Sequence, residues 1–221
     1  MLEKIKGKLV VSCQALENEP LHSSFIMGRM ALAAKIGGAA GIRAQSKEDI
    51  NEIMKVVDLP VIGIVKREYV DSEIYITPTK KEIDELLTTN CQMIALDATN
   101  RIRPNDEKIE DLVHYIHENG RLAMADCSTL EECLAAEKIG FDCVSTTLCG
   151  YTSYSTNIPG CNFELLKELV RVCKVPVIAE GKINTPEDLK EAFKLGIYSA
   201  VVGGAITRPQ DITKRFTAVL K

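Results

Sequence analysis

The chain has 221 residues, of which 46% are hydrophobic and 26% are charged, and its formal net charge is −4 with a sequence pI near 5.5. This composition is ordinary for a globular protein, and the acidic balance argues against a nucleic-acid polyanion as the main partner. No apolar run has the length of a signal peptide or a membrane span. We therefore expect a cytoplasmic protein that is neither secreted nor bound to a membrane.

Short apolar runs rich in Val, Ile, Leu and Ala recur along the whole chain. Runs of this kind suit strands that are buried on both faces, as in a parallel sheet. The predicted strands cover residues 8–15, 39–44, 60–66, 92–99, 121–128, 143–150, 176–182 and 199–206.

Each apolar run is followed by an amphipathic stretch with helical spacing. Several of these stretches begin with Ser, Thr or Asn and an acidic residue and end in Gly, which is typical helix punctuation. Thr185 is a predicted N-cap, with Pro186 in the first turn. The predicted helices cover residues 23–37, 46–57, 79–90, 105–120, 128–140, 162–174, 185–196 and 208–221.

Eight strand–helix units in strict alternation predict a single (β/α)8 barrel over residues 1–221. The segments PVIGIVK (60–66) and PVIAEGK (176–182) are then strands 3 and 7, which face each other across the barrel axis. Pro-Val-Ile is also a common start for any strand, but the eightfold alternation does not depend on this repeat. An open doubly wound sheet is the second fold considered.

Polar side chains stand at the ends of six predicted strands, where barrel enzymes place their active sites. Alternation puts Lys66 on the same strand face as Ile62 and Ile64, and Glu180 on the face of Ile178. A structural ion pair explains any single buried charge, whereas the whole set predicts a catalytic pocket. The six residues are Gln14, Arg43, Lys66, Asp97, Asp126 and Glu180.

The ends of strands 7 and 8 carry a second signal. Gly181-Lys182 follows strand 7, and Gly203-Gly204 follows strand 8 with Arg208 nearby. Glycines allow backbone N–H groups to approach an anion, and these two loops form the usual phosphate site of a barrel. The pattern predicts a phosphate-binding site.

The cysteines and histidines do not indicate a disulfide framework or a metal site. The eight cysteines form no Cys-x-x-Cys pair, and without a secretory signal we expect reduced, buried thiols. His114 and His117 lie on a predicted helix away from the strand ends, and there is no dinucleotide or Walker motif. The sequence therefore predicts no metal ion at the site.

Eight stretches, in order along nearly the whole chain, resemble the N-acetylmannosamine-6-phosphate 2-epimerase family. They read VVSCQALENEPLH, GIRA, GIVKREY, ALDAT, MADCST, TTLCGYT, IAEGKINTPED and VVGGAITRP. The resemblance implies conversion of N-acetylmannosamine 6-phosphate into N-acetylglucosamine 6-phosphate in sialic-acid breakdown, without a metal ion or a nicotinamide cofactor.

The resemblance also implies roles for individual residues. Lys66 and Glu180 would be the acid–base pair, and the loop 150–160 would help to cover the sugar. The expected substrate contacts are Gln14, Arg43, Asp126, Thr147, Tyr151, Gly181, Lys182, Gly203, Gly204 and Arg208.

A mechanism can be written with these residues. Once the sugar ring opens, the C2 proton lies next to an aldehyde and can be removed, which gives an enediolate-like intermediate that needs stabilisation. Lys66 would move the C2 proton while Glu180 moves oxygen-bound protons. In a two-base version, Lys66 and Glu180 would serve opposite faces of C2, and the sequence does not choose between the two.

Other functions on the same scaffold were considered. The main alternative is an aldolase that forms a Schiff base on Lys66, because a lysine above an apolar floor suits that chemistry. A metal-dependent sugar-phosphate epimerase and a non-catalytic sugar-phosphate binding barrel are the others. The mixed apolar and basic C-terminal helix packs on its own barrel or on a partner, and we expect a homodimer.

Overall fold

Eight parallel strands close into a barrel in sequence order, and a helix follows each strand. The computed structural model describes residues 1–155 and 157–220. Pairing of Leu9 with Ala200 and of Val11 with Val202 joins the first strand to the last. The predicted (β/α)8 barrel is confirmed, and the open doubly wound sheet is excluded.

Each strand lies within or beside the run predicted for it. β2 ends one residue later than predicted and includes Gln45, and β3 stops before Lys66. The strands are β1 (Leu9–Cys13), β2 (Gly41–Gln45), β3 (Val61–Ile64), β4 (Met93–Asp97), β5 (Leu122–Asp126), β6 (Cys143–Ser145), β7 (Val177–Glu180) and β8 (Ser199–Val202).

The helices begin where the sequence places side-chain caps. Thr129 and Thr185 form capping boxes, and Ser46 and Asn162 accept backbone N–H groups of the first turn. The helices are α1 (Leu2–Ile5), α2 (Ser24–Ile36), α3 (Lys47–Val56), α4 (Lys80–Leu87), α5 (Ile109–Glu118), α6 (Leu130–Ile139), α7 (Phe163–Val172), α8 (Pro186–Lys194), α9 (Gly204–Thr207) and α10 (Pro209–Ala218).

Three helical features differ from prediction. α1 and α9 are short additions, and the helix predicted from residue 105 begins at Ile109. Asn105 and Asp106 have φ of 58° and 52°, so a short 3-10 turn redirects the chain before α5 begins.

Two apolar layers hold the barrel together. The outer layer packs strands against helices, and the inner one fills the lumen with large side chains from alternate strand positions. Ile5 of α1 closes the amino-terminal end of this lumen with no exposed surface. The lumen includes Val10, Ile62, Ile64, Met93, Met124, Cys143, Ile178 and Val201. Arg43, Asp126 and Glu180 lie toward the carboxyl end of this apolar lumen.

The cysteines agree with the expectation of unpaired, mostly buried thiols. All eight cysteines lie in the described part of the chain and are unpaired, and seven of them are buried. Among residues 1–155 and 157–220, no helix combines the length and apolar character needed to cross a membrane.

The C-terminal helix α10 contributes no buried residue to the barrel. Phe216, Val219 and Leu220 at its end are 73%, 80% and 83% exposed. The homodimer stays a prediction.

Candidate active site

A cavity of about 1420 Å³ opens at the carboxyl ends of the strands. The sequence analysis predicted the active site at this end of the barrel. Most of the predicted site residues line this one cavity. They are Gln14, Arg43, Lys66, Thr147, Tyr151, Glu180, Gly181, Lys182, Gly203, Gly204 and Arg208.

The floor of the cavity is a buried ion-pair network centred on Arg43. Its guanidinium donates to both oxygens of Asp126, at 3.0 and 2.5 Å, and to Glu180 Oε2 at 2.9 Å. Arg43 is 1% exposed and Asp126 has no exposed surface. Burial by itself lowers the pKa of Arg43, but Asp126 and Glu180 raise it above the ordinary arginine value, so Arg43 stays charged.

Asp126 lies behind Arg43 and is absent from the cavity lining. The Thr147 hydroxyl donates to Asp126 Oδ1 at 2.7 Å and lies 2.5 Å from the Ser145 hydroxyl. In this structure Asp126 contacts Arg43 and Thr147, and its predicted contact with the substrate stays a prediction.

Glu180 ends β7 and is held by a residue that sequence reasoning did not single out. The Thr146 hydroxyl donates to the Glu180 carbonyl at 2.8 Å and accepts from the Glu180 N–H at 3.1 Å. Gly181 follows with φ of 100°, a conformation that favours glycine because a side chain would be strained there. The main chain around Glu180 is therefore anchored to the loop after β6.

The environment of Glu180 raises the pKa of its carboxyl group toward neutral pH. Burial raises the pKa of the Glu180 carboxyl to about 7, and the neighbouring Asp126 also raises it, while Arg43 and Lys66 act in the opposite direction. A carboxyl group with a pKa near 7 can both donate and accept a proton at physiological pH.

Lys66 lies beyond the end of β3, in a segment that folds back on itself. An antiparallel bridge pairs Lys66 with Ile76, and Arg67 N–H donates to the Tyr75 carbonyl at 3.0 Å. Thr77 fixes the base of this hairpin: its N–H donates to the Val65 carbonyl at 2.7 Å.

Ion pairs with α4 hold the hairpin in place and support a strained residue at its base. Thr77 has φ of 45°, an unusual value for a β-branched residue. The Arg67 side chain binds Glu82 and Glu85 of α4. This hairpin was not predicted, because its ion pairs with α4 join segments that local sequence patterns do not connect.

The pKa of the Lys66 amine is lowered, and base catalysis needs this because only the neutral amine can accept a proton. Burial and, to a lesser extent, the positive charges of Arg43 and Arg208 lower its pKa, whereas Glu180 and Glu19 raise it, and the net pKa is about 8. Lys66 and Glu180 therefore share one cavity, each affects the pKa of the other, and both titrate near neutrality.

The predicted phosphate end forms where β7 and β8 finish. Gly203 precedes the short helix α9, whose first residue is Gly204, and the first N–H groups of a helix have no partner within it. Arg208 follows α9 and is already oriented by Glu19, with its Nε 3.1 Å from Glu19 Oε1 and its Nη2 3.3 Å from Oε2. This side-on pairing leaves the other guanidinium edge free to meet an anion.

Lys182 and Tyr151 connect the cavity to the loop predicted to cover the sugar. Lys182 Nζ donates to Asn157 Oδ1 and to the Ile158 carbonyl, both at 2.7 Å, and lies 5.4 Å from the ring centroid of Tyr151. Lys182 thus holds the far side of this loop at the cavity mouth. Thr156, which belongs to the predicted loop, lies outside the described residues.

Asp97 is the strand-end residue that the structure does not bring to the cavity. Its carboxylate accepts from the Thr99 hydroxyl at 2.6 Å and from Arg101 Nη2 at 2.5 Å, and it is not among the lining residues. Asp97 is inward-facing but covered by the loop after β4, so the structural ion pair is the better interpretation.

Gln45 also lines the cavity and was not predicted. The alternation that selects Arg43 selects Gln45 two residues later, since every second residue of a strand faces the same side. It was missed because the predicted strand stopped at residue 44, one residue short of β2.

Comparison with known proteins identifies the family of this chain. A family model described as "Putative N-acetylmannosamine-6-phosphate epimerase" matches residues 27–221. The chain belongs to this epimerase family. Proteins named "Putative N-acetylmannosamine-6-phosphate 2-epimerase" from Clostridium perfringens (strain SM101 / Type A) and Clostridioides difficile (strain 630) are 71% and 64% identical to it. The matches cover 100% of this chain and 100% and 99% of those proteins.

Solved structures support both the epimerase family and its fold. The N-acetylmannosamine-6-phosphate 2-epimerase from Clostridium perfringens matches with a TM-score of 0.98 and 70% identity, covering 99% of this chain and 95% of that one. A thiamine phosphate pyrophosphorylase from Pyrococcus furiosus matches with a TM-score of 0.62 and 22% identity, over 94% of this chain and 90% of that one. This likeness shows the fold alone. The epimerase family, and not a Schiff-base aldolase, is therefore the context in which Lys66 is interpreted.

Proposed function

We propose that the protein interconverts N-acetylmannosamine 6-phosphate and N-acetylglucosamine 6-phosphate by moving the C2 proton of the ring-opened sugar. The observation that carries this proposal is the placement of Lys66 and Glu180 in one cavity, with pKa values of about 8 and about 7. An amine and a carboxyl group with these pKa values exchange protons with little driving force needed in either direction, which suits a reversible reaction.

The reaction needs three chemical events. The ring opens, so that C1 becomes an aldehyde; the C2 proton leaves; and a proton returns to the other face of C2. In this scheme Glu180 moves the oxygen-bound protons and neutral Lys66 takes the C2 proton. In the one-base version the Lys66 ammonium returns the proton after the intermediate has presented its other face, and in the two-base version protonated Glu180 donates it from the opposite side. Arg43, permanently charged and bound to Glu180, stabilises the negative oxygen of the enediolate-like intermediate.

The phosphate fixes the sugar in position for this chemistry. The backbone N–H groups of Gly203 and Gly204 and the open edge of Arg208 form the anion site in this proposal. Glu19 presents Arg208 to the phosphate in a defined orientation. Holding the sugar at its far end converts binding energy into correct placement of C2.

Proton NMR of N-acetylmannosamine 6-phosphate in D₂O tests the function directly. The expected result is appearance of the second epimer together with loss of the C2 proton signal through exchange with solvent. Unchanged substrate, or cleavage into smaller fragments, would contradict the proposal.

The pH dependence of kcat/KM should be bell-shaped with its maximum near pH 7.5. The active enzyme carries one proton on the Lys66–Glu180 pair, and in the reacting form that proton is on Glu180, so that Lys66 is neutral. Activity falls below about pH 7, where the pair gains a second proton and Lys66 can no longer act as a base. It falls above about pH 8, where the pair loses its remaining proton. Initial rates between pH 5.5 and pH 9.5 check this; a rate that does not vary between pH 6 and pH 9 would contradict the assignment.

Replacing Arg208 by alanine should mainly raise KM, by about 10- to 100-fold, because a charge-assisted hydrogen bond to the phosphate is lost in substrate and transition state alike. The kcat value should change little. Lys194→Ala, which removes only an exposed pair with Glu191, is the control. A fall in kcat with unchanged KM would show that Arg208 takes part in the proton transfers instead.

A further inference from the structure

Gln45, the last residue of β2, has one end of its amide bound and the other unsatisfied. Its Nε2 donates to the Ala15 carbonyl at 3.0 Å. Its Oε1 is buried and, within the described ranges 1–155 and 157–220, has no hydrogen-bond partner. A buried carbonyl oxygen without a donor is unfavourable, so this atom is suited to receive a donor from a ligand.

The orientation of the Gln45 amide is fixed by its partner. A backbone carbonyl only accepts hydrogen bonds, so the group that faces Ala15 must be the NH₂ group. The free end is therefore an acceptor. Gln14 also has a buried Oε1 without a partner among the described residues, but its Nε2 faces the Ser12 hydroxyl, which can donate or accept. The inference consequently rests on Gln45 and not on Gln14.

Gln45 and Lys66 belong to neighbouring strand ends and line the same cavity. Gln45 lies opposite Ile64 in the β2–β3 register, and Lys66 follows Ile64 by two residues. The Ser46 N–H donates to the Ile64 carbonyl at 2.9 Å, which keeps the two chains paired up to this level. A ligand whose C2 atom meets Lys66 thus presents the substituents of C2 to Gln45.

Arg43 supplies a complementary donor on the same strand face. It precedes Gln45 by two residues, and its Nε, which the Asp126 and Glu180 contacts do not use, is buried without a partner in the described part of the chain. An acetamido group has one N–H donor and one carbonyl acceptor. One free acceptor and one free donor, two residues apart on β2, match this pair.

We propose that Gln45 Oε1 accepts the acetamido N–H of the substrate, and that Arg43 Nε donates to the acetamido carbonyl. The inference rests on the proposed function and adds to it the residue that recognises the N-acetyl group. Gln45 is then a residue that determines specificity at C2, next to the catalytic Lys66.

The test compares two ligands on three proteins. One ligand is the equilibrated pair of N-acetylated sugar phosphates, and the other is 2-deoxyglucose 6-phosphate, which has no substituent on C2. Calorimetry gives the Kd of each for the wild type, for Gln45→Met and for Gln45→Glu. Both variants lose the Nε2 contact with Ala15, but only Gln45→Glu keeps an acceptor, so the difference between them reports on Oε1.

The expected result is a ratio of the two Kd values that falls by about 10-fold in Gln45→Met and stays near the wild-type ratio in Gln45→Glu. Equal weakening of both ligands in Gln45→Met would show a purely structural role and overturn the inference. If Gln45→Met does not fold, the inference is tested on the wild type alone. Equal Kd values of the wild type for the two ligands would overturn the inference. A wild type that binds neither ligand would refute the proposed function itself.

Discussion

Replacing Lys66 by methionine is expected to lower kcat by about 10²–10⁴-fold, the range that a positioned general base contributes. Methionine keeps the length of the side chain above the apolar lumen but cannot accept the C2 proton. Exchange of the C2 hydrogen with D₂O should fall in parallel with turnover, because both require removal of the same proton. NMR of the sugar phosphate in D₂O measures both rates in one experiment.

The control for this variant is Lys182→Met, which removes a second lysine from the same cavity. Lys182 binds Asn157 and the Ile158 carbonyl, so its loss should change KM through the covering loop. C2 exchange at saturating substrate should persist in this variant. Exchange that continues in Lys66→Met at the wild-type rate would remove Lys66 from the mechanism.

Replacing Arg43 by methionine is expected to destabilise the protein by about 3–5 kcal/mol, because it leaves buried carboxylates without their counter-ion. Asp126 loses two charge-assisted hydrogen bonds and Glu180 loses one. The free energy of unfolding from urea titration measures the loss. Turnover should also fall, since the charge that stabilises the intermediate is gone.

Two further variants make this result specific. Arg43→Lys keeps the charge but cannot donate to both Asp126 and Glu180 in the same geometry, so it should recover only part of the stability. Lys35→Met removes an exposed pair with Asp58 and should change stability little. An Arg43→Met variant as stable as the wild type would show that the network is neutral in energy, as some buried ion pairs are.

Much of the architecture is predictable because it depends on local patterns. The eight-unit alternation predicts the barrel, and the polar caps Thr129 and Thr185 predict where α6 and α8 begin. Period-two alternation places Lys66 and Glu180 above Ile62, Ile64 and Ile178, and the structure has these isoleucines in the lumen.

The prediction for Asp97 was wrong because strand ends with the same pattern acquire different neighbours when the loops fold. Asp97 ends its strand as Asp126 does, in register with it, yet Arg101 and Thr99 cover Asp97. Thr99 and Arg101, two and four residues after Asp97, were the local signal that sequence reasoning overlooked, since Asp126 has no arginine at the corresponding position. The difference arises because the loop after β4 folds back over one carboxylate, whereas Arg43 from β2 binds the other.

The order of the strands, most helix starts and most of the polar strand-end residues that line the cavity were predictable from the sequence, since each depends on residues within a few positions of one another. The sequence did not show which charged side chains contact one another. Arg43 joins Asp126 and Glu180, 83 and 137 residues away, and the cavity around them brings Lys66 and Glu180 to pKa values close enough to exchange protons. Only the closed barrel decides this, because burial and Coulomb interactions depend on distances between residues that are remote in the chain.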